Sequence, residues 1–209
     1  MNVARSSTRL LLLRHGQQDI AHEDGELTRI GERQAAVLAR SLALTPDDVV
    51  VSSPLRRALA TAAFLRDEVV AVAGLAEFRF GPAAPPLDEI VEERQDLALW
   101  RADHGFPGGE TLGDLQQRVA AVLEDVVARW PGRRIIACTH AGVIDASLRW
   151  AYGLPADADW VTEAELPHAS ITELEHWPRG RHAAGAPRHT LIRRIGDVGH
   201  LPPDLVTGR

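Results

Sequence analysis

The chain has 209 residues, of which 45% are hydrophobic and 25% charged, the profile of an ordinary globular protein, and a single domain over residues 1–209 is expected. A net charge of −6 provides no overall positive field for nucleic acid or an anionic membrane, so neither is an expected partner. Lysine is absent and all 23 basic residues are arginines, which excludes Schiff-base lysines and a Walker P-loop and leaves anion binding to arginine, histidine and backbone amides.

The one cysteine, Cys138, rules out an internal disulfide and any multi-cysteine metal site, as suits a reducing compartment. Arg5 and Arg9 precede a run of only four leucines, unlike a secretory leader, and a cytoplasmic location is expected. The arginine-only usage with abundant alanine is compatible with a GC-rich bacterial genome.

That run, Leu10 to Leu13, is too short to cross a bilayer and suits a strand buried on both faces of a parallel sheet. It stops at Arg14, His15 and Gly16. The turn after such a strand lies at the carboxyl edge where open α/β sheets bind ligands, although by itself the stretch also fits a plain polar strand end. Thr28 then reads as the N-cap of a helix with Ile30, Val37, Leu38 and Leu42 on one face. DVVVSS (48–53) is a short β-branched strand, and a helix follows it with Ser53 as cap and Pro54 in the first turn.

Residues 69–81 read as a short strand and a loop, and about 82–108 as an insertion over the sheet edge, with a helix near LDEIVEERQDLALWRAD (87–103). Thr111 with Asp114 makes a capping-box pattern that opens a helix with Leu115, Val119, Val122, Leu123 and Val126 facing inward; Pro131 and Gly132 end it. RRIIACTH (133–140) is a further buried strand and AGVIDASLRWAYG (141–153) a further helix, with His140 at their junction. SITELEHW (170–177) and HTLIRRI (189–195) pair as a hairpin, and the tail after Gly196 reads as irregular. The expected fold is α/β, a three-layer α/β/α sandwich with a mostly parallel central sheet and a C-terminal hairpin.

Strand-to-helix junctions of one parallel sheet open on one edge, so residues 14–16, 53–57 and 139–142 converge there. Two histidines and two arginines in one place suit phosphoryl transfer: guanidinium groups clamp a dianion, helix N-termini add positive partial charge, and an imidazole can attack phosphorus. That chemistry needs no metal and no cofactor, and none is expected.

These residues resemble the histidine phosphatase superfamily, which includes the cofactor-dependent phosphoglycerate mutases. The similar motifs are LLLRHG (11–16), LTRIGERQA (27–35), SSPLRRALATA (52–62), LAEFRFG (75–81), PGGET (107–111) and CTHAGVI (138–144), and DVGHL (197–201) is similar to a common family ending. The resemblance implies that His15 is the nucleophile that becomes phosphorylated, that Arg14 and Arg57 contact the phosphate, that His140 donates to the transferring phosphoryl group and that Glu77 protonates the leaving group. Two nearby guanidinium groups would hold His15 neutral. Gln17 and Ala141 stand where the family commonly has glutamate and glycine and are candidate substrate-binding residues.

Alternatives stand beside these roles. Arg56 competes with Arg57, with a solvated helix face as its other reading, and Glu110 of PGGET is an alternative acid, with a helix-start role as the simpler one. Cys138 lacks the arginine six positions on that a cysteine phosphatase needs, since Ile144 stands there, so buried packing is expected. HEDGE (22–26) reads as a charged loop near the site rather than metal ligands, DADW (157–160) follows no buried strand, and His176, His182 and His189 fit an exposed hairpin face. The loop Gln17 to Glu26 is short and lacks the tryptophan and asparagine of the mutases, while 82–106 offers only Arg94 and Arg101, and no Lys or Tyr, for a substrate carboxylate. The expected function is therefore a metal-independent phosphomonoester hydrolase, acting through phosphohistidine on a small phosphorylated metabolite. A phosphoglycerate-type mutase and a non-catalytic phospholigand-binding scaffold are the alternatives, and a homo-oligomer is compatible with any of them.

Overall fold

A computed structural model describes residues 7–20, 24–85, 101–178 and 188–208. In chain order the elements are β1 (Thr8–Arg14), α1 (Arg29–Leu42), β2 (Val49–Ser52), α2 (Arg56–Ala63), β3 (Val70–Ala71), α3 (Leu112–Arg129), β4 (Arg134–Thr139), α4 (Ala141–Tyr152), β5 (Ile171–Trp177) and β6 (His189–Asp197). Single 3-10 turns lie at Ala73–Leu75 and Pro203–Leu205.

The leucines of β1 divide by parity. Leu10 and Leu12 pack with Leu115, Val119 and Leu123 of α3 and Val143 and Ile144 of α4, whereas Leu11 and Leu13 pack with Leu38 and Leu42 of α1 and Ala62 of α2. β4 repeats the division, Ile135 and Ala137 on the first face and Ile136 and Cys138 on the second. Burial on both faces is why the run is continuously apolar rather than alternating. Each leucine withdrawn from water contributes about 1.5–3 kcal/mol.

The sheet order is β3-β2-β4-β1-β5-β6. The β1/β4, β2/β4 and β2/β3 pairs are parallel, and the β1/β5 and β5/β6 pairs antiparallel. With helices on both faces this is the expected α/β/α sandwich with its C-terminal hairpin. In register, Arg14 lies opposite Thr139 and Ser52 opposite Cys138, so β1, β2 and β4 end side by side.

Local signals behave as their chemistry dictates at two helix starts. The Thr28 hydroxyl accepts from Gly31 N at 3.1 Å, and Thr111 and Asp114 form the reciprocal capping box of α3. The start of α2 differs from expectation: it begins at Arg56, with Leu55 at the N-cap and no side-chain cap. Ser53 lies two residues before that N-cap, still bonded to β4 through its N–H to Cys138 O at 2.9 Å, and its hydroxyl accepts from Leu55 N at 3.2 Å rather than from the first turn of the helix.

His176 is buried rather than on an exposed hairpin face, its ring 5.0 Å from that of Trp150, because α4 covers that end of β5. His189 is exposed. The helix expected near 87–103 lies largely outside the described residues, as do Arg94 and His182. Among the described residues no helix is long and apolar enough to cross a membrane.

Candidate active site

His15 follows β1 directly. Its backbone N–H donates to Thr139 O at 3.0 Å, which ties the residue to the end of β4, and its side chain is almost wholly enclosed. Nδ1 lies 2.8 Å from Gly16 O and donates to it, which leaves the lone pair on Nε2. Arg57 Nε stands 3.2 Å from His15 Nε2 and 3.2 Å from His140 Nδ1, so one guanidinium N–H lies between the two imidazoles. The rings are 5.1 Å apart, and His140 Nε2 lies 2.8 Å from Ser53 Oγ. The hydroxyl that does not cap α2 thus orients the second histidine.

Both rings are held well below the ordinary histidine pKa. For His15 burial is the largest cause, followed by His140, with Arg57 and Arg14 adding less and the Gly16 carbonyl opposing. For His140 burial again comes first, then Arg57 and Arg14. The guanidinium groups credited from the sequence do act as expected on His15, but desolvation outweighs them.

The loop after His15 is braced by two helices. A Cβ on Gly16 would stand 2.6 Å from Gly31 O, so only glycine allows the loop to lie on the first turn of α1. Gly16 N donates to Thr61 Oγ1 of α2 at 3.0 Å. Gln17 belongs to the same brace: its N–H donates to Gln34 Oε1 at 2.7 Å and its Oε1 accepts from the Thr28 hydroxyl at 2.7 Å. Ala141 is the first residue of α4 and is half-buried beside His140.

Arg14 donates to the carbonyls of Leu166 and Gly208 and, at 3.3 Å, to His168 Nε2. His168 was not foreseen from the sequence. Its ring lies 5.6 Å from that of His15, and its Nδ1 stands 3.1 Å from Thr207 Oγ1, so the C-terminal segment closes over this side of the site. Asp24 of the HEDGE loop also reaches in, accepting from Arg56 N at 2.9 Å and pairing with Arg57 Nη1 at 3.4 Å; residues 21–23 lie outside the described residues. The Arg56 side chain is exposed and faces Glu26 at 3.7 Å, so of these two neighbours it is Arg57 that reaches His15 and His140.

Glu77 arrives from the loop after β3. Its Oε1 accepts from Phe78 N at 2.9 Å and its Oε2 from Gly142 N at 3.3 Å, which places the carboxylate over the first turn of α4, next to His140. A Cβ on Gly142 would stand 2.6 Å from Glu77 Oε1, so a side chain there would displace the carboxylate. Glu110, the alternative acid, is buried and bonded to Arg118 at 2.5 Å and Arg79 at 3.2 Å. Cys138 is packed in the core, its thiol pushed up to about 12 by burial. Asp159 of DADW accepts from Ala102 N at 3.0 Å, a loop-fastening contact. Among the described residues no group of three or more His, Cys, Asp or Glu is placed to hold a metal ion.

The buried histidines make stability depend on acid. His168 is pushed down to about 4 by burial and Arg14, while an unfolded histidine protonates near 6.5. As pH falls through that window the unfolded chain binds protons that folded His168 refuses, so stability is lost, by about 3 kcal/mol from this residue alone once the pH reaches about 4. His15 and His140 act in the same direction. The urea midpoint is expected to fall between about pH 7 and about pH 5, above the range where carboxylates titrate, and to fall less in His168→Asn. A midpoint that is flat or rises on acidification would contradict this.

Comparison with known proteins gives the family. The model of the histidine phosphatase superfamily (branch 1) matches residues 10–185. A protein of Hydrogenobacter thermophilus named "Putative phosphoserine phosphatase 2" is 29% identical over 79% of this chain and 88% of its own length. A "Probable phosphoglycerate mutase" of Salmonella choleraesuis is 28% identical over 91% of this chain and 93% of its own. Against a bifunctional protein of Mycobacterium tuberculosis, 30% identical over 93% of this chain, the match spans 55% of the relative's length. In fold, a phosphoserine phosphatase of Entamoeba histolytica crystallised with 3-phosphoglyceric acid superposes with a TM-score of 0.75 at 23% identity, covering 93% of this chain and 100% of the other.

Proposed function

The chain belongs to the histidine phosphatase superfamily (branch 1) and is a phosphatase, and we propose that it hydrolyses small phosphomonoesters without a metal ion by passing the phosphoryl group through His15. The observation that carries this reading is the buried pair of neutral imidazoles with the Arg57 N–H between them.

In the first step the lone pair of His15 Nε2 attacks phosphorus, the bond from phosphorus to the ester oxygen breaks, and Glu77 protonates the departing oxygen. A phosphoryl oxygen arriving at Nε2 takes over the Arg57 N–H. His140 Nδ1, released from Arg57, then donates to the phosphoryl group if its proton moves from Nε2. Ser53 permits that change because a hydroxyl both donates and accepts. Arg14, Arg57 and His140 stabilise the charge on the equatorial oxygens. In the second step the Glu77 carboxylate takes a proton from water, the water oxygen attacks phosphorus, and the bond to Nε2 breaks, which regenerates His15 and releases phosphate.

Hydrolysis is preferred to mutase chemistry because the short Gln17 to Glu26 loop lacks the tryptophan and asparagine of the mutases, and because 82–106 has no lysine or tyrosine for a substrate carboxylate. A phosphorylated metabolite as substrate is supported by the relatives' names, phosphoserine phosphatase and phosphoglycerate mutase among them. A cytoplasmic bacterial setting and action as one domain belong to the same proposal, supported by the single buried thiol and by bacterial relatives.

The test is a panel of phosphorylated metabolites assayed for phosphate release with a chelator present. Release that persists, and that exceeds phosphoryl transfer between phosphoglycerates with the bisphosphorylated acid added, is expected. Loss of activity to the chelator with recovery on adding magnesium or zinc, or transfer faster than release, would overturn the reading.

A further inference from the structure

Glu77 sits on a segment that forms no strand. Leu75 O, at the end of the 3-10 turn Ala73–Leu75, accepts from Thr139 Oγ1 of β4 at 2.8 Å, and from there the backbone runs irregularly to Arg79, with three carbonyls of the segment bonded to one side chain. Arg118, on α3, donates from Nη1 to Gly74 O at 2.8 Å and to Ala76 O at 2.9 Å, and from Nη2 to Glu77 O at 3.4 Å. Glu110, immediately before the N-cap of α3, holds Arg118 by two bonds, from Nε at 3.2 Å and from Nη2 at 2.5 Å. It also closes the far end of the segment, since Glu110 Oε1 accepts from Arg79 N at 2.9 Å and Glu110 N donates to Arg79 O at 2.9 Å.

The Glu110 side chain is only 2% exposed and that of Arg118 only 18%. An ion pair buried to that degree adds little stability over an apolar replacement of the same shape, because desolvating both charges offsets their attraction. What it provides is geometry: a planar fork that fixes three carbonyls and a carboxylate that fixes both the fork and the next backbone amide. We propose that Glu110 and Arg118 are positioning residues for the proton transfer at Glu77, acting through the backbone from Gly74 to Arg79. Glu110 is then no acid in the reaction but the anchor of the loop that carries one. The inference rests on the reading of Glu77 as the general acid.

A displaced acid slows only those reactions that need a proton at the leaving oxygen, and a misplacement of about 1 Å costs as much as 10²-fold. Arg118→Met, Arg118→Lys and Glu110→Gln are compared with Glu77→Gln on phosphoserine and on p-nitrophenyl phosphate, whose leaving group departs without help. Arg118→Met is expected to lower kcat on phosphoserine by about 10–10²-fold with KM little changed, and to lose several-fold less on p-nitrophenyl phosphate. Arg118→Lys, which keeps the charge without the fork, and Glu110→Gln follow in the same direction, and activity on p-nitrophenyl phosphate itself reports that each variant is folded.

The double variant Arg118→Met with Glu77→Gln is expected to be no slower on phosphoserine than Glu77→Gln alone, because nothing remains to be positioned. Equal losses on both substrates, or additive losses in the double variant, overturn the inference while a leaving-group-dependent Glu77→Gln leaves the acid in place. If Glu77→Gln itself fails to distinguish the substrates, the acid assignment fails and the positioning role falls with it.

Discussion

His15→Ala is expected to lower phosphate release by roughly 10⁴–10⁶-fold, the scale on which removal of a covalent nucleophile acts. The size follows from what the residue does in the site. His15 Nε2 has its lone pair directed at the Arg57 N–H, in a buried setting that keeps the ring neutral, so it is already in the reactive form at neutral pH. Neither His140 nor Cys138 is placed to replace it. His140 is turned by Ser53, and Cys138 is packed in the core with its thiol at about 12. Arg14, Arg57 and His140 remain in the variant, so binding of inorganic phosphate, measured by calorimetry, should fall far less than turnover. A variant that keeps activity within about tenfold of the wild type would remove His15 from the role of nucleophile.

The second large effect is expected at Glu77. Glu77→Gln keeps the shape of the side chain but has no acidic proton to give, and its one carbonyl oxygen can accept from only one of Phe78 N and Gly142 N because the amide nitrogen is a donor. Hydrolysis of alkyl phosphates should slow by roughly 10²–10⁴-fold, the range of general acid catalysis. A phenolate of low pKa leaves without protonation, so the loss on p-nitrophenyl phosphate should be much smaller where formation of the phosphoenzyme limits the rate. Dephosphorylation keeps some dependence on the residue, because the carboxylate also activates water, and burst kinetics separate the two steps. Equal losses on both substrates would assign Glu77 to phosphate binding or to the fold.

What could be read from the sequence divides along a physical line. Leu10 to Leu13 and Ile135 to Cys138 announce buried strands because two-sided burial writes itself into consecutive residues, and Thr28, Thr111 and Asp114 announce helix starts because capping acts over three residues. His15, Arg57 and His140 were legible as one site because parallel strands deliver their ends to one edge. The contacts that tune the site were not. His168 comes from a loop with neither helical nor strand periodicity, and it meets Arg14 across 154 positions of chain. Local pattern reads Ser53 as a helix cap, but α2 begins only at Arg56 and the Ser53 hydroxyl meets His140 across 87 positions of chain. Glu110 was read as a helix start or an acid, since nothing in PGGET reveals that Arg118, eight residues on, will face it beside the Glu77 loop. Asp24 looked like solvated charge until the loop folded back on Arg57.

The central claim is a phosphoryl group carried by His15, and the most direct measurement is to trap it. Enzyme mixed with substrate and quenched in alkali, where phosphohistidine survives, is digested for mass spectrometry and examined in parallel by phosphorus NMR of the denatured protein. Because Nδ1 is occupied by Gly16 O, the account predicts one phosphoryl group on His15 at Nε2, labile to acid and lost when substrate is exhausted. A phosphoryl group found on His140, Cys138 or a serine, or on His15 at Nδ1, would contradict it.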